Sequence, residues 1–81
     1  MEMTIKSTSK IVTISGVQTR LWEGKSAHGT PVHAFIARVR IAPGTECDLS
    51  EFQQELQECV APSPAMEDFP ETLKLPPRSA L

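Results

Sequence analysis

The sequence predicts an α+β domain: a three-stranded antiparallel sheet with one helix packed on one face, in the order β-β-β-α, followed by an extended proline-rich tail. Three observations predict it. β-branched and apolar residues alternate with polar ones between Lys10 and Ile41. Apolar residues recur at spacings of three and four between Leu49 and Val60. Five of the seven prolines fall after Ala61, which forbids a continuous helix there. The domain is therefore placed at residues 10–60, between an N-terminal extension at 1–9 and a tail at 61–81. With 81 residues there is room for a single core, so the long apolar side chains are needed for packing.

The first two strands form a hairpin. Ser15-Gly16 is a two-residue turn in which Gly supplies positive φ, so Ile14 faces Val17, Val12 faces Thr19 and Lys10 faces Leu21. Val12, Ile14, Val17, Thr19 and Leu21 then share one face, and Ile11, Thr13, Gln18, Arg20 and Trp22 the other. Gly24 to Gly29, with only polar or small residues between, reads as an exposed loop. A third strand follows at Val32 to Ile41. Turning Val32, Ala34 and Ile36 to the core would also bury the unpaired guanidiniums of Arg38 and Arg40, a costly outcome. His33, Phe35, Ala37, Val39 and Ile41 are therefore assigned to the core face, where Phe35 and Val39 meet Phe52 and Leu56. The outer face keeps Trp22, Val32, Ala34 and Ile36 beside Arg20, Arg38 and Arg40.

Asp48 or Thr45 caps a helix over 49–60, with Glu51 three residues after Asp48 in the capping-box position. Leu49, Phe52, Leu56, Cys59 and Val60 make its apolar stripe. Asp48, Glu51, Glu55 and Glu58 lie beside that stripe within about 80° of one another. Beyond Ala61 the tail is extended or disordered, stiffened toward polyproline II, yet its Met66, Phe69, Leu73 and Leu75 are apolar enough to dock on the domain or on a second subunit.

Charge is unevenly divided. Residues 1–44 carry six basic and two acidic side chains, residues 45–81 two basic and eight acidic, so +4 and −6 combine to the net −2 of the chain. That balance argues against a general nucleic-acid coat, while each half can present its own potential to a partner. No apolar run approaches the roughly 20 residues of a membrane helix, and the start MEMTIKSTSK is not a secretory signal. The expected location is cytoplasmic.

The chemistry-bearing residues are sparse. His28, His33, Cys47 and Cys59 lack the close ligand pairs of a zinc site. Twelve helical steps would hold the two cysteines about 18 Å apart, too far for a disulfide. Cys59 becomes a small core residue and Cys47 a partly buried thiol, with a minor catalytic role for Cys47 as the least favoured reading. Ser26, His28 and Glu23 sit around a glycine-bounded loop that cannot hold a triad to catalytic tolerance. Gly24-Lys25-Ser26 lacks the upstream glycine of a phosphate loop. No catalytic residue, metal or cofactor is therefore expected.

The runs ISGVQTRLWEG at 14–24 and GTPVHAFIARV at 29–39, with the helical segment 52–58, resemble a group of small uncharacterised proteins of proteobacterial phages and other mobile elements. The resemblance covers about half of the chain. It implies an accessory protein that inhibits or adapts a host macromolecular machine, and it implies no activity and no site residues.

The expected function is that of a non-catalytic binding protein, an inhibitor or adaptor that docks on another protein, such as a nucleic-acid-handling machine, through a charged surface. Its candidate binding residues are Arg20, Trp22, Ile36, Arg38, Arg40, Glu51, Glu55 and Glu58. Trp and Arg dominate binding energies where they occur at interfaces. Two other readings stand beside this one. Trp22 could stack a base of single-stranded nucleic acid with the arginines near its phosphates, or a bulge at Trp22-Glu23-Gly24 could turn Trp22 into the core. Neither a membrane nor a cofactor is among the expected partners. The third strand is a pairable edge, which makes a homodimer a further expectation.

Overall fold

In the computed structural model, which describes residues 1–74, strand β1 (Met3–Ile14) turns at Ser15-Gly16 into β2 (Val17–Ser26). Both turn residues have positive φ, 48° at Ser15 and 85° at Gly16, the backbone of a type I′ turn whose twist suits the two strands. Ile14 pairs with Val17 and Val12 with Thr19, as the alternation predicts. β1 begins seven residues ahead of Lys10, so the stretch assigned to an N-terminal extension is mostly strand. It gives β2 a partner as far as Ser26, opposite Met3, which draws Gly24, Lys25 and Ser26 out of the expected loop.

The predicted pairing of Lys10 with Leu21 gives way to a bulge. Ser7 lies opposite Trp22 and Ile11 opposite Arg20, so Thr8, Ser9 and Lys10 together face Leu21. Two extra residues leave the alternation of faces unchanged on either side. Thr8 is buried in the bend, its hydroxyl donating to the Leu21 carbonyl at 2.8 Å. The Arg20 guanidinium donates to the Thr8 carbonyl, also at 2.8 Å. Both contacts satisfy backbone acceptors that the bulge removes from the ladder.

β3 (Pro31–Ile36) pairs antiparallel with β2, Leu21 opposite Phe35 and Trp22 opposite Ala34. The faces are therefore those predicted as far as Ile36, but the strand stops there and not at Ile41, and Val39, assigned to the core face, is 44% exposed in a hollow beside Trp22. The chain bends at Ala37 and carries Val39 toward the helix α1 (Leu49–Gln57), whose Leu56 lines the same hollow. α1 starts on Asp48, whose carboxylate accepts the Ser50 and Glu51 backbone N–H groups. A hydrogen bond from the Ser50 hydroxyl, with those from the two backbone N–H groups, holds the Asp48 carboxyl below its usual range. The helix ends at Gln57, short of the predicted 60, because Glu58 is extended and Val60 bridges Thr8 in parallel. Ser9 donates to the Val60 carbonyl at 2.8 Å, and Val60 to the Ser7 carbonyl at 3.1 Å.

The largest correction concerns what covers the core. Phe35 does not meet Phe52; its ring stacks on Phe69 at 5.5 Å. Phe69 follows a one-turn helix, α2 (Pro64–Glu67), whose Met66 is 5% exposed; Val12 and Leu21 are fully buried. The prolines that seem to forbid helix instead frame one: Pro64 occupies a first-turn position where no N–H is required. The chain then forms β4 (Thr72–Leu73), parallel to β1 at Thr13 and Ile14. The architecture is α+β with a mixed four-stranded sheet, β3-β2-β1-β4, in place of three antiparallel strands under one helix. The rest of the predicted extended tail, residues 75–81, lies outside the described residues. Among the described residues no helix is long and apolar enough to cross a membrane.

Candidate functional site

The two sheet faces have different fates. On the face of Leu21 and Phe35, Glu23 reaches the start of α2. Its carboxylate accepts the Ser63 backbone N–H at 2.8 Å and the Ser63 hydroxyl at 2.6 Å, and His33 Nε2 stands 3.3 Å away. The two Ser63 bonds, with a smaller contribution from His33, hold the Glu23 carboxyl below its usual range against the opposing effect of burial. Ser, Glu and His thus come together, though not as the Ser26, His28 and Glu23 of the sequence reading. A hydrolytic triad sets His between nucleophile and carboxylate. Here the carboxylate is in the middle, takes both hydrogen bonds, and with its lowered pKa is a poor base for the serine. The arrangement fastens α2 to the sheet.

The other face carries a groove. Trp22 is half-buried rather than open to solvent, because the C-terminal half of α1 lies along its side of the sheet. Ile11, Trp22, Ile36, Val39 and Leu56 line an open hollow of about 530 Å³ together with Arg20 and Arg38. Leu56 is 40%, Ile11 40% and Val39 44% exposed, so the apolar lining is in contact with water, and α1 contributes no buried residue. Four of the eight candidate binding residues, Arg20, Trp22, Ile36 and Arg38, therefore share one hollow. Arg20 is committed to the Thr8 carbonyl. Arg40 is exposed and stands apart from the hollow.

The acidic candidates rim the same seam. Glu55 and Glu58 adjoin Trp22 on a neighbouring hollow that also includes Lys6 and Cys59. Glu51 lies further along α1 near Phe52 and Ile41. No basic residue occupies the last turn of α1, so Glu55 and Glu58 stand at the negative end of the helix dipole, where carboxylates are disfavoured.

Cys47 and Cys59 are both free and exposed, which corrects the assignments to partial burial and to the core. Cys59 follows the end of α1 in the link to the β1 edge and so never joins the helix stripe. Among the described residues no three or more His, Cys, Asp or Glu side chains gather as a metal site would require. Sequence reasoning missed Ser63; it named Met66 and Phe69 as able to dock on the domain, but not the helix that carries Met66. The signal was present in Ser63-Pro64, an N-cap residue type before a proline at the first helical position, with Met66 and Phe69 three residues apart.

No protein-family model matches the chain, and neither a curated protein nor a solved structure is detectably similar to it.

Proposed function

We propose that this chain is a non-catalytic binding protein that takes another protein into the groove between α1 and the Trp22 face of the sheet. One observation carries the reading: five apolar side chains, Ile11, Trp22, Ile36, Val39 and Leu56, converge on an open hollow instead of closing it. Water-exposed apolar lining edged by charge is a feature of recognition surfaces. Glu55 and Glu58 beside Trp22 support it further, because a helix end that breaks its own electrostatic preference is expected where function requires the charge.

Single-stranded nucleic acid fits the groove less well. Arg20 already donates to the Thr8 carbonyl, leaving Arg38 as the cation of the hollow not engaged in this way, while Glu55 and Glu58 beside Trp22 would repel phosphates. A protein with an apolar anchor and charges of both signs matches both rims. The resemblance to small mobile-element proteins gives the proposal its context, a cytoplasmic inhibitor or adaptor of a host machine.

The test is paired. Leu56→Asp and Arg38→Glu should each abolish capture of the partner recovered with the wild-type chain while leaving thermal unfolding unchanged. Trp22 fluorescence should not respond to a mixed oligonucleotide at low salt. Salt-sensitive quenching by the oligonucleotide, or capture that survives both substitutions, would overturn the proposal.

A further inference from the structure

The sheet has two edges, and the described residues cover part of one and none of the other. Along β1, Val60 and β4 take up backbone groups from Ser7 to Ser15. Along β3 no described residue pairs on the side away from β2. Which groups point outward follows from the ladder. Ser26 donates to the Thr30 carbonyl at 2.9 Å, so the hydrogen-bonded pairs continue every second residue through Val32, Ala34 and Ile36. The N–H and C=O groups of His33 and Phe35 therefore project away from the sheet, together with the Pro31 carbonyl. Pro31 has no N–H to leave unpaired on that side, as suits a strand at an edge.

We propose that this edge pairs with β3 of a second copy, antiparallel about a two-fold axis at Ala34. Three two-fold registers use the outward groups, and side chains choose among them. An axis at His33 sets two imidazoles opposite each other, and an axis at Phe35 leaves Val32 and His33 opposite residues beyond the end of the strand at Ile36. The axis at Ala34 sets Val32 against Ile36 of the other copy and His33 against Phe35, which avoids both mismatches. It joins each His33 to Phe35 of the other copy by a reciprocal pair of backbone hydrogen bonds. The inference is independent of the groove's partner, yet the two are continuous. Trp22, Ala34 and their symmetry mates fall in one row on one face, the tryptophan Cα atoms about 14 Å apart at ordinary strand spacing.

The register is open to a covalent test on the full chain in a Cys47→Ser, Cys59→Ser background. At the axis Ala34 meets its own mate in a non-hydrogen-bonded pair, about 4.5 Å between Cα atoms, within disulfide reach. Val32 and its mate are separated by four strand steps, about 13 Å. Under mild oxidation Ala34→Cys should form disulfide-linked dimers about tenfold faster or more than Val32→Cys. Equal rates, or faster linkage through Val32, overturn the register. Sedimentation of the unmodified chain should show a monomer–dimer equilibrium, and His33→Pro, which removes an outward N–H along with the imidazole 3.3 Å from Glu23, should shift it to monomer, whereas His33→Ala, which removes the imidazole and keeps the N–H, should leave the dimer. A monomer at every concentration to about 1 mM, including one that instead accepts an unrelated strand peptide on this edge, overturns the proposal, as does a dimer that persists in His33→Pro.

Discussion

Replacing Glu23 by Gln tests the fastening of α2 to the sheet. Gln keeps the shape and one carbonyl acceptor, but it loses the charge and turns an NH2 group toward donors that the carboxylate now accepts. Hydrogen bonds to charged groups contribute about 1.5–3 kcal/mol each when shielded from water. The Glu23 side chain is 19% exposed, and one of its two Ser63 bonds survives in Gln, so the expected loss is about 2 kcal/mol. In a domain of this size that lowers the midpoint of thermal unfolding by roughly 10 °C. The pH dependence fixes the cause. Because the folded carboxyl is held below its ordinary value, its contribution is fully present above about pH 4.3, the unfolded value. It is lost as pH falls through the lower folded value. Melts followed by Trp22 fluorescence should show a gap between wild type and variant at about pH 5 and above that narrows in more acid solution. A midpoint within about 2 °C of wild type at neutral pH, or a gap that does not close in acid, would refute the reasoning.

Three further outcomes are expected. Met66→Ala should cost about 3 kcal/mol, because Met66 is the one buried apolar side chain among the described residues of the tail; chemical denaturation reads this as a lower midpoint, and a change under about 1 kcal/mol would remove α2 from the core. Gly24→Ala should loosen the first half of β1, since a Cβ there meets the Thr4 carbonyl oxygen and lies 2.7 Å from the Ile5 Cα; hydrogen exchange should rise at Met3 to Ser7 and stay unchanged at Val12. Ser15→Asn should raise stability by a few tenths to about 1 kcal/mol, because Asn tolerates the left-handed backbone that Ser15 adopts, and a lower midpoint would contradict the turn assignment.

Alternation was enough to read the hairpin; the facing of β3 was chosen to keep Arg38 and Arg40 out of the core, and it holds although both lie beyond the end of the strand at Ile36. The start of α1 at Asp48 was legible for an equally local reason, an acceptor side chain beside unpaired N–H groups. The covering of the core was not local. Leu49 to Leu56 and Met66 to Phe69 are both apolar at helical spacing, and periodicity ranks the longer first; the choice falls to Met66 and Phe69, which Ser63 fixes through Glu23. The bulge was hidden because Thr8 carries no apolar signal, its burial resting on a hydroxyl bonded to Leu21. Of the candidate site, Arg20, Trp22, Ile36 and Arg38 were read as one surface from strand parity. That α1 would turn this surface into a groove depended on the helix being displaced from the core face.

The order in which the elements occur along the chain has its own consequence for how the molecule is made. Ser7 waits for Glu58 and Lys10 for Glu67, partners 51 and 57 positions later. A hairpin made before α2 must therefore wait for those later partners to close over the sheet, and such long-range closure slows folding. During synthesis the uncovered sheet is what a chaperone would meet first.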